Sequence, residues 1–293
     1  MTIAVDFPCP ICGSNDHRLL YPDTLKNDFP RFGYEFSAGH TRTYRIVMCE
    51  NCGHAYCSPR PLDIWKHYHD VEDKAYLGCQ PQRISTARKV LKKMLQFKKS
   101  GRLLDIGCAT GDFLSVARDF YEVEGLELSR WTSRIALGRG LIVHSCTLDA
   151  LKPAKPYDVM TLWGVIEHFE DPAREIQKMA RLLNQGGYVC LWTGDIKSIP
   201  SKVLGKKWWY VQGQHIQYFS QRSLRKIFSQ NGFEHVWSGL YPYVMTMDSI
   251  SGSLNRYPLI GKLSKYVLKQ PFLSSRMLTL ALPGEMFAIF RKL

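Results

Sequence analysis

The sequence predicts an α/β protein whose main domain is a mostly parallel sheet covered by helices, preceded by a small cysteine-bearing module. Between residues 102 and 230, segments with strand-like and helix-like apolar spacing alternate. Parallel strands need such crossover helices, so this order favours a parallel sheet. Residues 1–60 instead contain two C-x-x-C pairs, turn residues and one short strand-like run at 45–49. The two regions therefore differ in architecture.

The individual elements follow from apolar spacing and from turn residues. Strands are predicted at 102–106, 122–127, 141–144, 157–163 and 187–193, and helices at about 84–99, 111–119, 130–138, 171–184 and 221–230. Segments 233–247 and 285–291 are predicted as two strands of a long hairpin that closes the sheet antiparallel. We expect a module at 1–60, a linker with a short aromatic helix at 61–83, and the main domain at 84–293.

The charge of the chain is unevenly distributed. The net charge is +13, and the segment from Arg83 to Arg102 contains eight basic residues and no acidic one. A second basic stretch runs from Arg256 to Arg276. Three interpretations remain open, namely solvated helix faces, attraction to an anionic small molecule or an anionic membrane surface, and binding of nucleic acid.

The sequence contains no run of the ~18 apolar residues that a membrane-spanning helix needs. Its first residues also show no signal-peptide pattern, so we expect a cytoplasmic protein. No oligomeric state is predicted.

Four of the nine cysteines form two knuckles, each followed by a glycine. These cysteines are Cys9, Cys12, Cys49 and Cys52. An odd total and paired C-x-x-C motifs argue against a disulfide framework and for a metal in a reducing compartment. Two knuckles complete a tetrahedral site of four thiolates with no open position, so we expect a structural Zn²⁺. His54 and Cys57 are alternative ligands.

A glycine-rich loop, LDIGCATG at 104–111, follows a predicted strand and opens a helix. Gly107 would allow a sharp turn close to a ligand, and Gly111 would remove a side chain where helix and strand pack. Asp105 would repel the pyrophosphate of a dinucleotide but attract a cationic amine. Glu127 ends the next strand, where its carboxylate can accept hydrogen bonds from both ribose hydroxyls. The loop therefore favours S-adenosylmethionine over a dinucleotide.

Four segments, LLDIGCATGDFL, GLELS, YDVMTLWGVIEHFEDP and LLNQGGYVCLWT, resemble the class I S-adenosylmethionine-dependent methyltransferases, over about 84–293. The resemblance implies a Rossmann-like seven-stranded sheet whose last strand is antiparallel. It also implies a cofactor site made of Asp105, Gly107, Cys108, Gly111, Glu127, Leu128, Thr147, Leu148, Trp163 and Gly164, with Asp149 as a further candidate near adenine.

The combination of a zinc module with this domain resembles the methyltransferases of deoxysugar and surface-polysaccharide pathways. Residues 208–220, WWYVQGQHIQYFS, resemble their H-x-x-Y-F-S segment. The resemblance implies a small sugar-containing acceptor, nucleotide-linked or lipid-linked. An acceptor hydroxyl or acidic C–H must lose a proton, so His215 and His168 are the candidate catalytic residues. For each histidine the alternative is a structural hydrogen bond, and Glu167 is expected to bind loop amides.

Other functions remain open at this point. An RNA methyltransferase would use the zinc ribbon and the basic helix to bind phosphates. A quinone or lipid methyltransferase would use the partly apolar insertion at 257–282 as a lid. A non-catalytic binding protein would retain the fold without turnover. For Tyr68 and Tyr76 two roles remain open, covering the active site or simple packing between the module and the main domain.

Overall fold

The structure is a computed structural model that describes residues 4–26, 28–34, 41–255, 257 and 276–293. The basic stretch from Arg256 and most of the insertion at 257–282 lie outside the described residues. Three antiparallel strands form the N-terminal part: β1 (His17–Tyr21), β2 (Ile46–Cys49) and β3 (Ala55–Cys57). A 3-10 helix (Ile64–Tyr68), α1 (Lys74–Gly78) and α2 (Gln80–Met94) follow.

Helix α2 begins before its predicted start at 84. Pro81 lies in its first turn, where the missing N–H of proline costs no hydrogen bond. Its buried side chains contact the sheet side of the molecule, whereas Arg88, Lys89 and Lys92 are exposed. The helix therefore presents one apolar and one basic face.

The central sheet contains parallel strands that are connected by helices, except between its third and fourth strands, as predicted. In chain order these elements are β4 (Arg102–Ile106), α3 (Asp112–Ala117), β5 (Glu122–Leu126), α4 (Arg130–Gly138), β6 (Ile142–His144), β7 (Tyr157–Trp163), α5 (Pro172–Leu182) and β8 (Leu183–Gly194). Strand β4 pairs in parallel with β5 on one side and with β7 on the other. The strand order thus reverses direction at β4, which is where open α/β sheets bind ligands.

The C-terminal part completes the sheet. It contains α6 (Ile199–Leu204), β9 (Gln217–Tyr218), α7 (Gln221–Gln230), β10 (Phe233–Gly239), β11 (Pro242–Thr246), α8 (Met247–Leu254), β12 (Met277–Ala281) and β13 (Glu285–Lys292). Strand β13 lies antiparallel between β8 and β10, which gives the order β10-β13-β8-β7-β4-β5-β6. The Rossmann-like seven-stranded sheet with an antiparallel strand near its C-terminus is confirmed.

The prediction of one strand over 233–247 is wrong. The chain leaves the main sheet after Gly239, and β11 pairs with β12 in a separate two-stranded sheet. Tyr241 lies at this break and stacks on Trp192 with ring centroids 4.8 Å apart. Gly239 pairs with Phe287, close to the first residue of β13, so a straight continuation of β10 would soon pass the end of its partner strand. Met247 begins α8.

The N-terminal sheet is shared with the main domain. Strand β9 pairs with β3, so the sheet has the order β1-β2-β3-β9. Val47 and Tyr56 are buried in the same apolar cluster as Phe219 and Leu224. The cysteine-bearing segment thus packs directly on the chain that carries His215. In the described part of the chain, no helix is both long and apolar enough to cross a membrane.

Candidate active site

A cavity of about 1130 Å³ lies at the carboxyl ends of β4, β5 and β7. It is lined by nine of the predicted cofactor residues: Asp105, Gly107, Cys108, Glu127, Leu128, Thr147, Leu148, Trp163 and Gly164. Both predicted catalytic histidines, His168 and His215, line the same cavity, as do Tyr68 and Tyr76. A pocket for a drug-sized ligand typically measures about 300–1,000 Å³, so this cavity has room for a cofactor and an acceptor.

Glu127 is buried at the end of β5 and holds the glycine-rich loop. Its Oε2 accepts a hydrogen bond from the N–H of Ala109 at 2.8 Å, and Oε1 accepts one from the N–H of Ser129 at 2.8 Å. These backbone donors orient the carboxylate. Oε2 accepts one hydrogen bond, from Ala109, and has two lone pairs, so the carboxylate can also accept a hydrogen bond from a ligand hydroxyl there.

Tyr34 reaches the same carboxylate from the N-terminal part of the chain. Its hydroxyl lies 3.1 Å from Glu127 Oε1 and 3.2 Å from Thr132 Oγ1. Sequence reasoning missed this residue, because no motif connects it to a partner 93 positions away. Tyr34 therefore brings the N-terminal segment into the cofactor region.

Asp105 lies at the bottom of the cavity and is 2% exposed. Its Oδ1 accepts a hydrogen bond from the hydroxyl of Thr161 at 2.6 Å. Burial raises the pKa of Asp105 to about 8, despite this hydrogen bond. In the described residues no basic side chain pairs with Asp105. A cationic ligand group would therefore stabilise its ionised form.

Gly107 and Gly111 both have the left-handed backbone conformation, with φ of +71° and +76°. A Cβ on Gly107 would lie 2.7 Å from Val165 Cγ2, and one on Gly111 would lie 2.3 Å from Leu141 Cδ1. Gly111 does not line the cavity; it allows α3 to approach α4 and the start of β6. The structure therefore gives Gly111 the packing role that the glycine pattern predicted, and the cofactor contact that the resemblance implied for it stays a prediction.

The adenine side of the cavity is predicted at Thr147, Leu148 and Asp149. Leu148 is buried, and the Asp149 carboxylate accepts a hydrogen bond from Lys178 Nζ at 2.6 Å. Lys178 and Arg174 both pair with Asp149, so this wall is apolar at Leu148 and its neighbouring charges are paired. Such a surface suits a flat heterocycle.

His215 lies in the aromatic segment 208–220 that follows β8. Its Nδ1 lies 2.8 Å from the carbonyl oxygen of Tyr210, which can only accept, so Nδ1 carries the proton. In the neutral ring Nε2 is then the basic nitrogen. The ring is buried and packs against His168, with centroids 4.8 Å apart. This tautomer is the one a proton acceptor requires.

His168 has a different environment. Its Nδ1 lies 2.8 Å from the carbonyl oxygen of Gln214 and 3.0 Å from the hydroxyl of Tyr68. Burial lowers the pKa of His168 to about 4, although the carbonyl groups around it favour the protonated form. A neutral imidazole between these acceptors holds the 214–215 backbone in place, which is the structural alternative considered for this residue.

Glu167 accepts hydrogen bonds from two side-chain hydroxyls in addition to a backbone amide. The Thr193 hydroxyl donates to its Oε2 at 3.0 Å, and the Tyr210 hydroxyl donates to its Oε1. Burial raises the pKa of Glu167 to about 7. One ligand atom each from Glu167, His168 and His215 lies within 4.8 Å of the others. The three side chains thus have the composition of a proton-transfer group and also of a divalent-metal site.

The four knuckle cysteines converge at the edge of the N-terminal sheet. Their sulfur atoms lie within 4.8 Å of one another, with 3.4 Å between Cys9 and Cys52 and 3.6 Å between Cys12 and Cys49. Tetrahedral zinc with Zn–S bonds of about 2.3 Å requires sulfur separations of about 3.8 Å, so the four residues fit the ion. His54 and Cys57 instead bond Gln217 and the carbonyl of His215 and lie outside the cluster.

Glu285, the first residue of β13, is a further buried carboxylate in the cavity wall. Its oxygens accept hydrogen bonds from the indole N–H groups of Trp192 at 2.8 Å and Trp209 at 2.6 Å. Sequence reasoning missed this residue. The available signal was a charged residue at the start of an otherwise apolar strand, EMFAIF.

Comparison with known proteins agrees with this geometry. The methyltransferase domain model matches residues 80–238. The ubiquinone biosynthesis O-methyltransferase of Vibrio cholerae is 33% identical over 115 residues, which cover 36% of this chain and 47% of that protein. The chain thus spans about half the length of this relative.

Among solved structures, an S-adenosylmethionine-dependent methyltransferase of Thermotoga maritima aligns with a TM-score of 0.50 at 20% identity, over 78% of this chain and 97% of that chain. Another, from Archaeoglobus fulgidus, aligns with a TM-score of 0.50 at 18% identity, over 75% of this chain and 100% of that chain. These two likenesses concern the fold. Since the family model covers more than half of the sequence, the chain belongs to the methyltransferase domain family.

Proposed function

We propose that this protein is an enzyme that transfers the methyl group of S-adenosylmethionine to a small, sugar-containing acceptor. The acceptor is nucleotide-linked or lipid-linked. The observation that carries the proposal is that His215, in a loop of aromatic and amide side chains, lines one cavity with Asp105 and Glu127. Sugar rings stack on aromatic faces and bond amide groups, and Trp209, Gln212 and Gln214 offer both in this wall.

Cofactor binding is assigned to the two carboxylates at the strand ends. S-adenosylmethionine supplies a methyl group on a cationic sulfur, activated for displacement. In the proposed arrangement Asp105 pairs with the cofactor's amino group and Glu127 accepts a hydrogen bond from a ribose hydroxyl. Leu148 and Thr147 contact adenine, and the backbone at Gly107, Cys108, Leu128, Trp163 and Gly164 shapes the remaining wall.

Proton removal is assigned to His215. Nδ1–H is bonded to the Tyr210 carbonyl, so Nε2 is the nitrogen that accepts a proton. It takes this proton from the acceptor molecule as the nucleophilic atom of that molecule attacks the methyl group. We assign His168 a positioning role, because it bonds the carbonyl of Gln214, the residue before His215. Glu167 supports the same loop through its carbonyl, which accepts the N–H of Ile216 at 2.9 Å.

The N-terminal residues 1–60 are proposed to be a zinc-ribbon module, followed by a linker at 61–83 and the methyltransferase domain at 84–293. Cys9, Cys12, Cys49 and Cys52 would hold a structural Zn²⁺, since four thiolates leave no position for a substrate. The location in the cytoplasm, contact with an anionic membrane and polysaccharide biosynthesis as the pathway stay predictions.

A quinone precursor is the second candidate acceptor. The observation that favours it is the 33% identity to a ubiquinone biosynthesis O-methyltransferase, although the match covers less than half of that protein. A phenol could occupy the same aromatic cavity and would need the same proton acceptor. Turnover with defined acceptors separates the two candidates.

The first experiment tests the cofactor site. Calorimetric titration with S-adenosylhomocysteine is expected to show binding to the wild type and at least a tenfold loss in Glu127→Ala, because a hydroxyl contact to a carboxylate is removed. Glu122→Ala is the matched control, since Glu122 is exposed at the other end of the same strand. Equal affinities in the three proteins would overturn the assignment.

The second experiment tests the acceptor. Formation of S-adenosylhomocysteine is measured with a panel of nucleotide-linked sugars, their lipid-linked counterparts, and hydroxylated quinone precursors. Turnover with a sugar class supports the proposal. Turnover with the quinone precursors alone would replace it by the second candidate.

A further inference from the structure

Glu285 differs from the ion-paired buried carboxylates in the described structure. Asp112 pairs with Arg83 and Arg139, and Glu124 pairs with Arg102. Glu285 is 4% exposed, and no described lysine, arginine or histidine lies within ion-pair distance of it.

The two indole N–H groups orient the Glu285 carboxylate but cannot neutralise it. Trp192 binds one oxygen and Trp209 binds the other, so each oxygen keeps a lone pair for a further donor. Burial raises the pKa of Glu285 to about 7, and the described residues provide only the two indole N–H groups to lower it. The site thus holds a fixed hydrogen-bond acceptor with negative charge, the Glu285 carboxylate, beside the cavity.

Aromatic rings surround this carboxylate. Trp192 stacks with Tyr241, and Tyr243 meets both rings edge-on, with centroids 5.4 Å from Trp192 and 5.1 Å from Tyr241. All three rings and Trp209 line the cavity. Aromatic faces attract cations through their quadrupole, and a carboxylate among them is the usual recognition element for an ammonium group.

We propose that Glu285, Trp192 and Tyr243 form a subsite for a protonated amino group of the acceptor, so that the methylated substrate is an amine-bearing molecule such as an aminosugar. The ammonium donates to the oxygen lone pairs that the indoles leave available, and its charge compensates the buried carboxylate. This inference rests on the proposed function, because it specifies the acceptor of the same site.

This subsite lies on a different part of the sheet from the carboxylates of Asp105 and Glu127. Glu285 begins the antiparallel strand β13 and pairs there with Gly194 of β8, whereas Asp105 and Glu127 lie on β4 and at the end of β5. A cofactor held by Asp105 and Glu127 therefore leaves the β8–β13 wall to the acceptor.

The test uses three probes that share one ring: glucosamine, glucose and N-acetylglucosamine. Binding is measured at neutral pH by ligand-observed magnetic resonance on protein saturated with S-adenosylhomocysteine, whose own affinity is measured first. We expect glucosamine to bind about tenfold or more tightly than both neutral sugars, the size of one charge-assisted contact.

Two variants connect this preference to the subsite. Glu285→Gln removes the charge and is expected to bring the three sugars to within about twofold of one another. Tyr243→Leu removes one ring but keeps the carboxylate, and it reduces the preference without abolishing it. Glu175→Gln is the matched control, because its carboxylate lines the same cavity but already pairs with Lys178; it keeps the preference.

The outcomes separate this inference from the proposed function. If S-adenosylhomocysteine fails to bind, the cofactor assignment fails. If it binds but glucosamine shows no preference over glucose, the amine subsite is overturned. A tenfold loss of S-adenosylhomocysteine affinity in Glu285→Gln, with no sugar preference in the wild type, would place Glu285 in the cofactor site instead. Circular dichroism of each variant verifies its fold.

Discussion

Buried carboxylates of two kinds occur in the described structure, and their partners distinguish them. Asp112 and Glu124 pair with arginines and hold α3 and the sheet together. Asp105, Glu127 and Glu285 line the cavity and bond only neutral donors. Since an isolated buried charge is unfavourable, the second kind is expected to meet positive or donor groups of bound molecules.

The first prediction concerns pH and Asp105. The pKa of this group is about 8 without ligand, and a cationic amine binds the ionised form, so binding releases a proton at lower pH. The affinity for S-adenosylhomocysteine is therefore expected to fall as the pH decreases below about 8, by up to about tenfold per pH unit. Calorimetric titrations at a series of pH values from about 6 to about 9 measure this dependence.

Asp105→Asn is the matched variant for this prediction. The amide still accepts the Thr161 hydroxyl but does not titrate. The affinity of Asp105→Asn for S-adenosylhomocysteine is expected to be weaker than that of the wild type and nearly independent of pH in this range. The same pH slope in wild type and variant would assign the titration to another group, such as Glu167 or Glu285.

The second prediction concerns His215. With the acceptor that the panel identifies, His215→Gln is expected to lower kcat by about 10²–10⁴, the usual contribution of general base catalysis. The affinity for S-adenosylhomocysteine should change little, because His215 lies on the acceptor side. His168→Gln, which retains a donor to the Gln214 carbonyl, is the comparison. A larger loss of kcat in this variant than in His215→Gln would exchange the proton-accepting and positioning roles of the two histidines.

At the scale of elements, the loop between β4 and α3 depends on packing as much as on ligand contact. Gly111 has φ of +76° and lies against Leu141 and Ala136. Sequence reasoning placed the strand, loop and helix correctly, since their signals are local. It also predicted a turn close to a ligand at Gly107 and a packing role at Gly111, but it could not identify Leu141 and Ala136 as the contacts of Gly111, because these contacts are not local.

The third prediction follows from this packing. Gly111→Ala adds a Cβ 2.3 Å from Leu141 Cδ1 at a positive φ, so it is expected to lower the free energy of unfolding by about 2–4 kcal/mol. Gly186→Ala is the control, because Gly186 has φ of +71° and no atom near its Cβ position. It should lose about 1 kcal/mol. Denaturant unfolding measures both, and equal losses would contradict the packing role.

At the scale of the whole molecule, the N-terminal sheet and the methyltransferase fold form one packed unit. Cys57 N–H donates to the carbonyl of Ile216 at 2.9 Å, and the Cys57 thiol contacts the carbonyl of His215 at 3.6 Å. His54 is buried beside Gln217 and Ser223. Strand β3 and the residue before it therefore support the backbone of the proposed acceptor loop.

The fourth prediction connects zinc to that loop. The wild type is expected to contain about one zinc ion per chain, and Cys49→Ser to lose it. Hydrogen exchange should then become faster at Ala55–Cys57 and at Gln217–Tyr218, because these strands pair. Cys146→Ser, which lies outside the cluster, is the control. Full zinc occupancy in Cys49→Ser would contradict the site.

The basic segment illustrates how tertiary contacts change the meaning of a charge run. Arg83, Lys98 and Arg102 form ion pairs with acidic residues, and Lys93 lies 4.3 Å from the ring centroid of Trp237. The other four residues, Arg88, Lys89, Lys92 and Lys99, are exposed. Half of the charge is thus used within the fold, which weakens the segment as an indication of nucleic-acid binding.

The alternation of strands and helices, the glycine-rich loop and the cysteine knuckles could all be read from the sequence, because each depends on residues a few positions apart. The partners in the cavity could not. Glu285 meets Trp192 and Trp209 across 93 and 76 positions, and Tyr34 meets Glu127 across 93. Such contacts depend on which strand ends meet at one edge of the sheet, so only the folded chain brings these groups together.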